Sequence, residues 1–207
     1  MSIGYGPRVV TDGLVLALDA SDINSYQQNE ISEPTDMYGW YTTIKGNSDA
    51  NLCTITRDTT TSSPVGNEPL KMVVTGTDPY LFCYNSSPWN LAPASQGETW
   101  VVSVYVKAST NTSIQLFVFG GNSSGGAFSP TDYSASTINV TTEWKRYSHY
   151  HTFAQSATQY VQVRLDGPDT QGGGSATGQE IWWDGLQVER VPSGTTPPGR
   201  FNSNSKT

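Results

Sequence analysis

No stretch of this 207-residue chain places apolar residues at i, i+3, i+4 and i+7 over three turns, and Gly, Pro, Ser, Thr and Asn interrupt it at short intervals. That pattern excludes helical bundles and doubly wound α/β folds. Short β-rich runs bounded by turn residues recur instead, as in antiparallel sandwiches and barrels. The predicted strands are Leu14 to Leu18, Trp40 to Ile44, Leu52 to Arg57, Leu70 to Thr75, Tyr80 to Tyr84, Thr99 to Ala108, Ser113 to Phe119, Ser136 to Val140, Trp144 to Phe153, Gln159 to Asp166 and Glu180 to Val191. The Ser/Gly/Pro-rich stretches 120–135 and 167–179 read as surface loops.

Only 35% of the residues are hydrophobic, but six Trp, eleven Tyr and six Phe restore enough burial for one core, because aromatic side chains bury the most area each. The same aromatic content argues against disorder. With a net charge of −7 and eleven basic residues that form no stripe, the chain is not expected to bind nucleic acid or an anionic membrane. No apolar run approaches the ~20 residues of a membrane-spanning helix. The opening Met1 to Arg8 lacks the layout of a signal peptide, so a cytoplasmic origin is expected. Cys53 and Cys83 are then read as buried apolar residues rather than a disulfide.

Period two assigns faces. Trp100, Val102, Val104 and Val106 oppose Val101, Ser103, Tyr105 and Lys107. Ile114, Leu116 and Val118 oppose Gln115, Phe117 and Phe119, and Val161, Val163 and Leu165 oppose Gln162 and Arg164. One side is a core. The other mixes rings with amide and cationic donors, which suits a polyhydroxylated ligand: rings stack on sugar C–H faces and donors meet hydroxyls. Tyr105, Gln115, Phe117, Gln162, Arg164 and Trp182 form this candidate ligand or interface face. For Trp182, outward when Ile181 and Trp183 are buried, a sugar platform or an intersubunit anchor competes with burial under a covering loop. For the mixed set, a glycan cleft competes with a face covered by a neighbouring subunit.

Three segments carry a family resemblance: Thr99-Trp100-Val101-Val102-Ser103-Val104-Tyr105-Val106-Lys107-Ala108, then Thr142-Glu143-Trp144-Lys145-Arg146-Tyr147, then Ile181-Trp182-Trp183-Asp184-Gly185-Leu186-Gln187-Val188-Glu189. In this order they resemble carbohydrate-binding-module-like jelly rolls over about residues 37–191. The resemblance implies an all-β, two-sheet antiparallel jelly-roll β-sandwich. It also places a structural calcium ligand at Asp184, with Asp36 or Asp49 as partners; the competing reading is that Asp184 and Gly185 form a bulge or turn. The run Gly6 to Tyr26 is similar to the opening of structural proteins of tailed phages, notably those of marine bacteria. That resemblance implies a virion protein assembled in the host cytoplasm: a capsid decoration protein, a head fibre or a tail-associated fibre component. The partners it implies are other virion proteins and further copies in a trimer or other symmetric oligomer.

Three parts are expected: residues 1–36 as a docking segment and connector, 37–191 as the jelly roll, and 192–207 as an extended tail. His149 and His151 share one strand face; with no third ligand at metal-site spacing, hydrogen bonding, stacking or a pH-sensitive contact is expected of them. The Asn-x-Ser/Thr triplets at Asn85, Asn111, Asn122 and Asn139 are discounted without a secretory route. No paired carboxylates, nucleophile elbow, Cys/His pair or phosphate loop emerges, so the expected function is non-enzymatic. The alternative to a virion role is a lectin for host polysaccharide.

Overall fold

A computed structural model describes residues 46–47, 52–65, 69–83, 91–122, 132–168 and 176–191. These are all strand, turn or coil, with no helix among them. The strands in chain order are β1 (Gly46–Asn47), β2 (Cys53–Arg57), β3 (Leu70–Val74), β4 (Tyr80–Cys83), β5 (Ala92–Pro93), β6 (Thr99–Ala108), β7 (Thr112–Gly121), β8 (Tyr133–Val140), β9 (Lys145–Thr152), β10 (Tyr160–Asp166) and β11 (Glu180–Val191). They form two antiparallel sheets. The front sheet runs β1-β4-β10-β7-β8, with β5 also paired to β10; the back sheet runs β2-β3-β11-β6-β9. The expected two-sheet antiparallel sandwich is thus the fold observed. The runs expected at Leu14 to Leu18 and Trp40 to Ile44, and the segments 1–36 and 192–207, lie outside the described residues.

Neighbouring strands in each sheet are mostly distant in sequence. β11, last in the chain, lies between β3 and β6, with Trp183 opposite Leu70 on one side and Val106 on the other. The alternation predicted from sequence is the alternation seen. Trp100, Val102, Val104 and Val106 of β6 meet Ile114, Leu116 and Val118 of β7, Val161, Val163 and Leu165 of β10, and Ile181, Trp183 and Val188 of β11 in one core. Trp183 is the bulkiest fully buried side chain. Cys53 is also buried, and its thiol lies 3.5 Å from the Tyr80 carbonyl; the side chain of Cys83 lies outside the described residues.

One difference from the sequence reading, and one bulge that it weighed, bear on function. β8 begins at Tyr133, three residues before the predicted Ser136. Its inward positions there are Ser134 and Ser136, so the apolar signal starts only at Ile138. In β11 the register with β6 shifts between Asp184 and Gln187, around Gly185 at φ 57°. A Cβ on Gly185 would sit 3.0 Å from Val65, so both the left-handed backbone and the close approach favour glycine.

Candidate functional site

The six residues proposed as one ligand or interface face do not meet. Tyr105 and Trp182 project from the outer face of the back sheet, whereas Gln115, Phe117, Gln162 and Arg164 project from that of the front sheet. Alternation fixes which side of its own strand a residue takes, and the topology then places the two outward sets on opposite surfaces.

The back face is closed over. Trp182 lies between Lys71 and Lys107 in register and is 7% exposed. Both ammonium groups approach its ring, at 5.4 and 4.8 Å, and its indole N–H donates to Asp58 at 2.6 Å. Asp58 also accepts from the N–H and hydroxyl of Thr60 and of Thr61. Trp144 donates to the Ser62 carbonyl at 2.7 Å, so two indoles hold the segment 58–65 against the sheet. Of the competing readings of Trp182, the covering loop is the one observed. Tyr105 is not an open platform either, because the Arg146 guanidinium stacks over its ring at 4.9 Å. That guanidinium also donates to the Gly185 carbonyl, the Ser103 hydroxyl and Gln187.

Asp184 lies fully buried beneath the same segment. Its Oδ2 accepts from the Ser63 hydroxyl and, at 2.7 Å, from the Val65 N–H. Calcium takes six to eight oxygens. Here one carboxylate oxygen is occupied by two donors, and no group of three or more His, Cys, Asp or Glu gathers among the described residues. The bulge at Gly185 is the role the geometry shows, while Asp36 and Asp49 lie outside the described residues. Burial raises Asp184 to about 6 against the opposing hydrogen bonds of Ser63 and Val65. Burial likewise raises Glu189 to about 7 against the pull of Arg146.

The front face is different. Across β10, β7 and β8 the outward rows are Gln162–Phe119–Tyr133, Arg164–Phe117–Ala135 and Asp166–Gln115–Thr137. Phe117 and Phe119 stack at 5.3 Å, and Phe119 stacks with Tyr133 at 5.3 Å. The Arg164 guanidinium lies 4.5 Å from Phe117 and 5.5 Å from Tyr80, and pairs with Asp166 at 2.5 Å. Phe117, Phe119 and Gln162 are buried, so the accessible groups are the half-buried Tyr80, Gln115 and Arg164 and the exposed Tyr133, at 47%. Below them Gln115 donates to Thr137, Ser113 donates to Asn139, and Asn111 and Thr141 line a shallow depression. From Tyr133 to Asn139 this surface runs roughly 20 Å at ~3.3 Å per residue, aromatic at one end and amide and hydroxyl at the other.

Tyr133 escapes the sequence reading because the Ser/Gly-rich stretch before it reads as loop. The signal that could have found it is the period-two spacing of Tyr133, Ala135, Thr137 and Asn139, all exposed in β8. His149 and His151 share one side of β9, as expected, and bond within the molecule: His149 to the Ser134 hydroxyl at 2.8 Å, His151 to Asp132 at 2.9 Å.

No family model matches this chain, and no curated protein matches it. Solved structures do. The chain is similar in fold to the enzymatically active domain of tailspike protein 4 from bacteriophage CBA120, with a TM-score of 0.55 and 12% identity over 79% of this chain. It spans only 21% of that tailspike chain. It is also similar to a xylan-binding domain from Paenibacillus barcinonensis, with a TM-score of 0.50 and 13% identity over 80% of this chain and 99% of that one. A Clostridium thermocellum xylanase in complex with xylohexaose matches with a TM-score of 0.50 and 12% identity, over 73% of this chain and 27% of the other. At these identities the likeness establishes the β-sandwich fold.

Proposed function

We propose that this chain is a non-enzymatic carbohydrate-binding sandwich that takes an extended glycan along the outer face of the front sheet. The observation that carries this reading is the graded surface from Tyr133 to Asn139: an exposed ring at one end for sugar C–H faces, then amides and hydroxyls for sugar hydroxyls. The fold shared with a xylan-binding domain and with a xylanase in complex with xylohexaose supports it. A non-catalytic role is favoured because the carboxylates raised toward neutrality, Asp184 and Glu189, lie 0% and 6% exposed on the closed back face.

Affinity electrophoresis through gels containing xylan and other polysaccharides tests the reading. The wild type is expected to be retarded by at least one of them, and Tyr133→Ala to lose about tenfold in affinity, in line with ~1–1.5 kcal/mol for one aromatic contact. A wild type retarded by none overturns the glycan reading. A Tyr133→Ala variant that changes sedimentation coefficient instead would make the face an interface between copies.

We further infer that the sandwich is displayed on a phage particle, as a decoration or fibre component in a symmetric oligomer. The phage-like run Gly6 to Tyr26 and the fold shared with a tailspike domain support this. Mass spectrometry of gradient-purified particles from the source checks it: many copies per particle fit decoration, a few fit a fibre or tail, and absence leaves the free lectin.

A further inference from the structure

Tyr133, the exposed ring at the aromatic end of the front face, is held from behind by two histidines of the other sheet. Its neighbours on both sides point inward to the open edge where β8 of the front sheet meets β9 of the back sheet. Ser134 shares a hydrogen bond with His149 Nε2 at 2.8 Å and donates to the Tyr150 carbonyl at 3.4 Å. Asp132, 1% exposed, bonds His151 Nε2 at 2.9 Å and accepts from the N–H groups of Ala154 and Gln155 and the hydroxyl of Thr158. The segment Asp132-Tyr133-Ser134 that leads into β8 is thus gripped at its first and third residues, and the grip sets the one between. Two of the side-chain bonds that tie β9 to the start of β8 run through a histidine, and the third joins Ser134 to the Tyr150 carbonyl.

We propose that His149 and His151 are positioning residues for Tyr133, forming a clamp, proton-sensitive at His149, that holds the ring at the rim of the glycan face. The role of the ring rests on the carbohydrate reading above; the clamp itself is tested separately.

The surroundings of the two rings set the direction. Toward them β6 presents Trp100 and Val102, and the inward residues of β7 are apolar. The titratable groups nearby are Asp132 from β8 and Tyr147 and Tyr150 of their own strand. Glu98, at the foot of β6, is bonded to Arg190 and to the Trp100 indole. Burial holds the His149 ring below the ordinary histidine value, against an opposing hydrogen bond with the Ser134 backbone and with the neighbouring His151 acting in the same sense as burial. A proton on His149 adds a buried charge beside a second histidine. Acidification therefore loosens the Ser134 half of the grip while the Asp132 half remains.

The test uses the full chain with ring-labelled tyrosine, Tyr133 being assigned through Tyr133→Phe, and follows histidine and Tyr133 ring resonances by NMR from about pH 8 to about pH 5. The expected result is a Tyr133 shift that tracks the histidine titration in the wild type and flattens in His149→Gln, whose amide bonds Ser134 without titrating. In the same variant, retardation by polysaccharide, which in the wild type falls several-fold over that range, becomes independent of pH. Ser134→Ala, which keeps the fold by far-UV circular dichroism, is expected to broaden or shift the ring signal at every pH. A Tyr133 resonance indifferent to pH while the histidines titrate overturns the clamp. A resonance that tracks them in a chain that binds no polysaccharide upholds the clamp and overturns only the glycan reading.

Discussion

Among the described residues, Asp184 and Glu189 are the two carboxyl groups that folding places most at odds with their charge. Both are buried, and burial raises them from 3.8 to about 6 and from 4.5 to about 7. The native state binds their protons more tightly than the unfolded chain does, so unfolding releases protons and stability falls as pH rises through these intervals. A tenfold difference in proton affinity between the two states corresponds to about 1.4 kcal/mol, so Glu189 alone accounts for up to about 3 kcal/mol of loss by pH 8. Asp58 and Asp132 act oppositely. Burial alone would raise both, but the hydroxyls of Thr61 and Thr60, the Thr60 N–H and the Trp182 indole hold Asp58 well below the usual range. Thr158, His151 and two backbone N–H groups do the same for Asp132. Their contribution is present above their ordinary value of 3.8 and is lost as pH falls further. Urea denaturation across pH is expected to show greatest stability at roughly pH 4–5. Glu189→Gln should flatten the alkaline side by about 2–3 kcal/mol, because the amide fills the same volume without the buried charge. The roles of these residues are not legible in the sequence, since spacing does not reveal which carboxylates a loop will cover.

At the scale of the element, the segment 58–65 closes the outer face of the back sheet. Asp58 collects five hydrogen bonds from Thr60, Thr61 and Trp182, and the Trp144 indole holds Ser62. Asp58→Ala removes the acceptor common to the first group. We expect a loss of about 2 kcal/mol, from a buried indole N–H and turn donors left unpaired. Hydrogen exchange of residues 59–65 should accelerate at least tenfold while that of β6 and β11 falls only with global stability. The strands themselves are legible to differing degrees. β6 and β11 begin and end where the sequence places them, because alternation is strong and Gly, Pro, Ser or Thr flank both. The sequence reading starts β8 too late because its inward residues near the start, Ser134 and Ser136, lie at an open edge where a bond between a histidine and a hydroxyl replaces apolar packing.

For the whole molecule, one core joins both sheets, and Trp183 at its centre touches neither outer face. Trp183→Ala should cost about 3–5 kcal/mol through lost burial and the cavity left. A protein of this size then loses roughly 10 °C or more in Tm, with both sheets melting in one calorimetric transition. Separate transitions for the two sheets would contradict a shared core. The sequence by itself determined the β class, most of the strands and which side of each faces inward, because period two is a local property of an extended chain. Of the aromatic residues of the candidate site it named Phe117 and put Phe119 on the outward side, but it missed Tyr80 and Tyr133, the latter hidden in a stretch rich in turn residues. Only the tertiary structure decided that the outward residues divide between opposite surfaces, with Trp182, Tyr105 and Asp184 beneath a loop and Tyr133 exposed on a clamped strand. Which strands become neighbours and which loop folds over which face depend on contacts between residues far apart in the chain, and alternation carries no record of these.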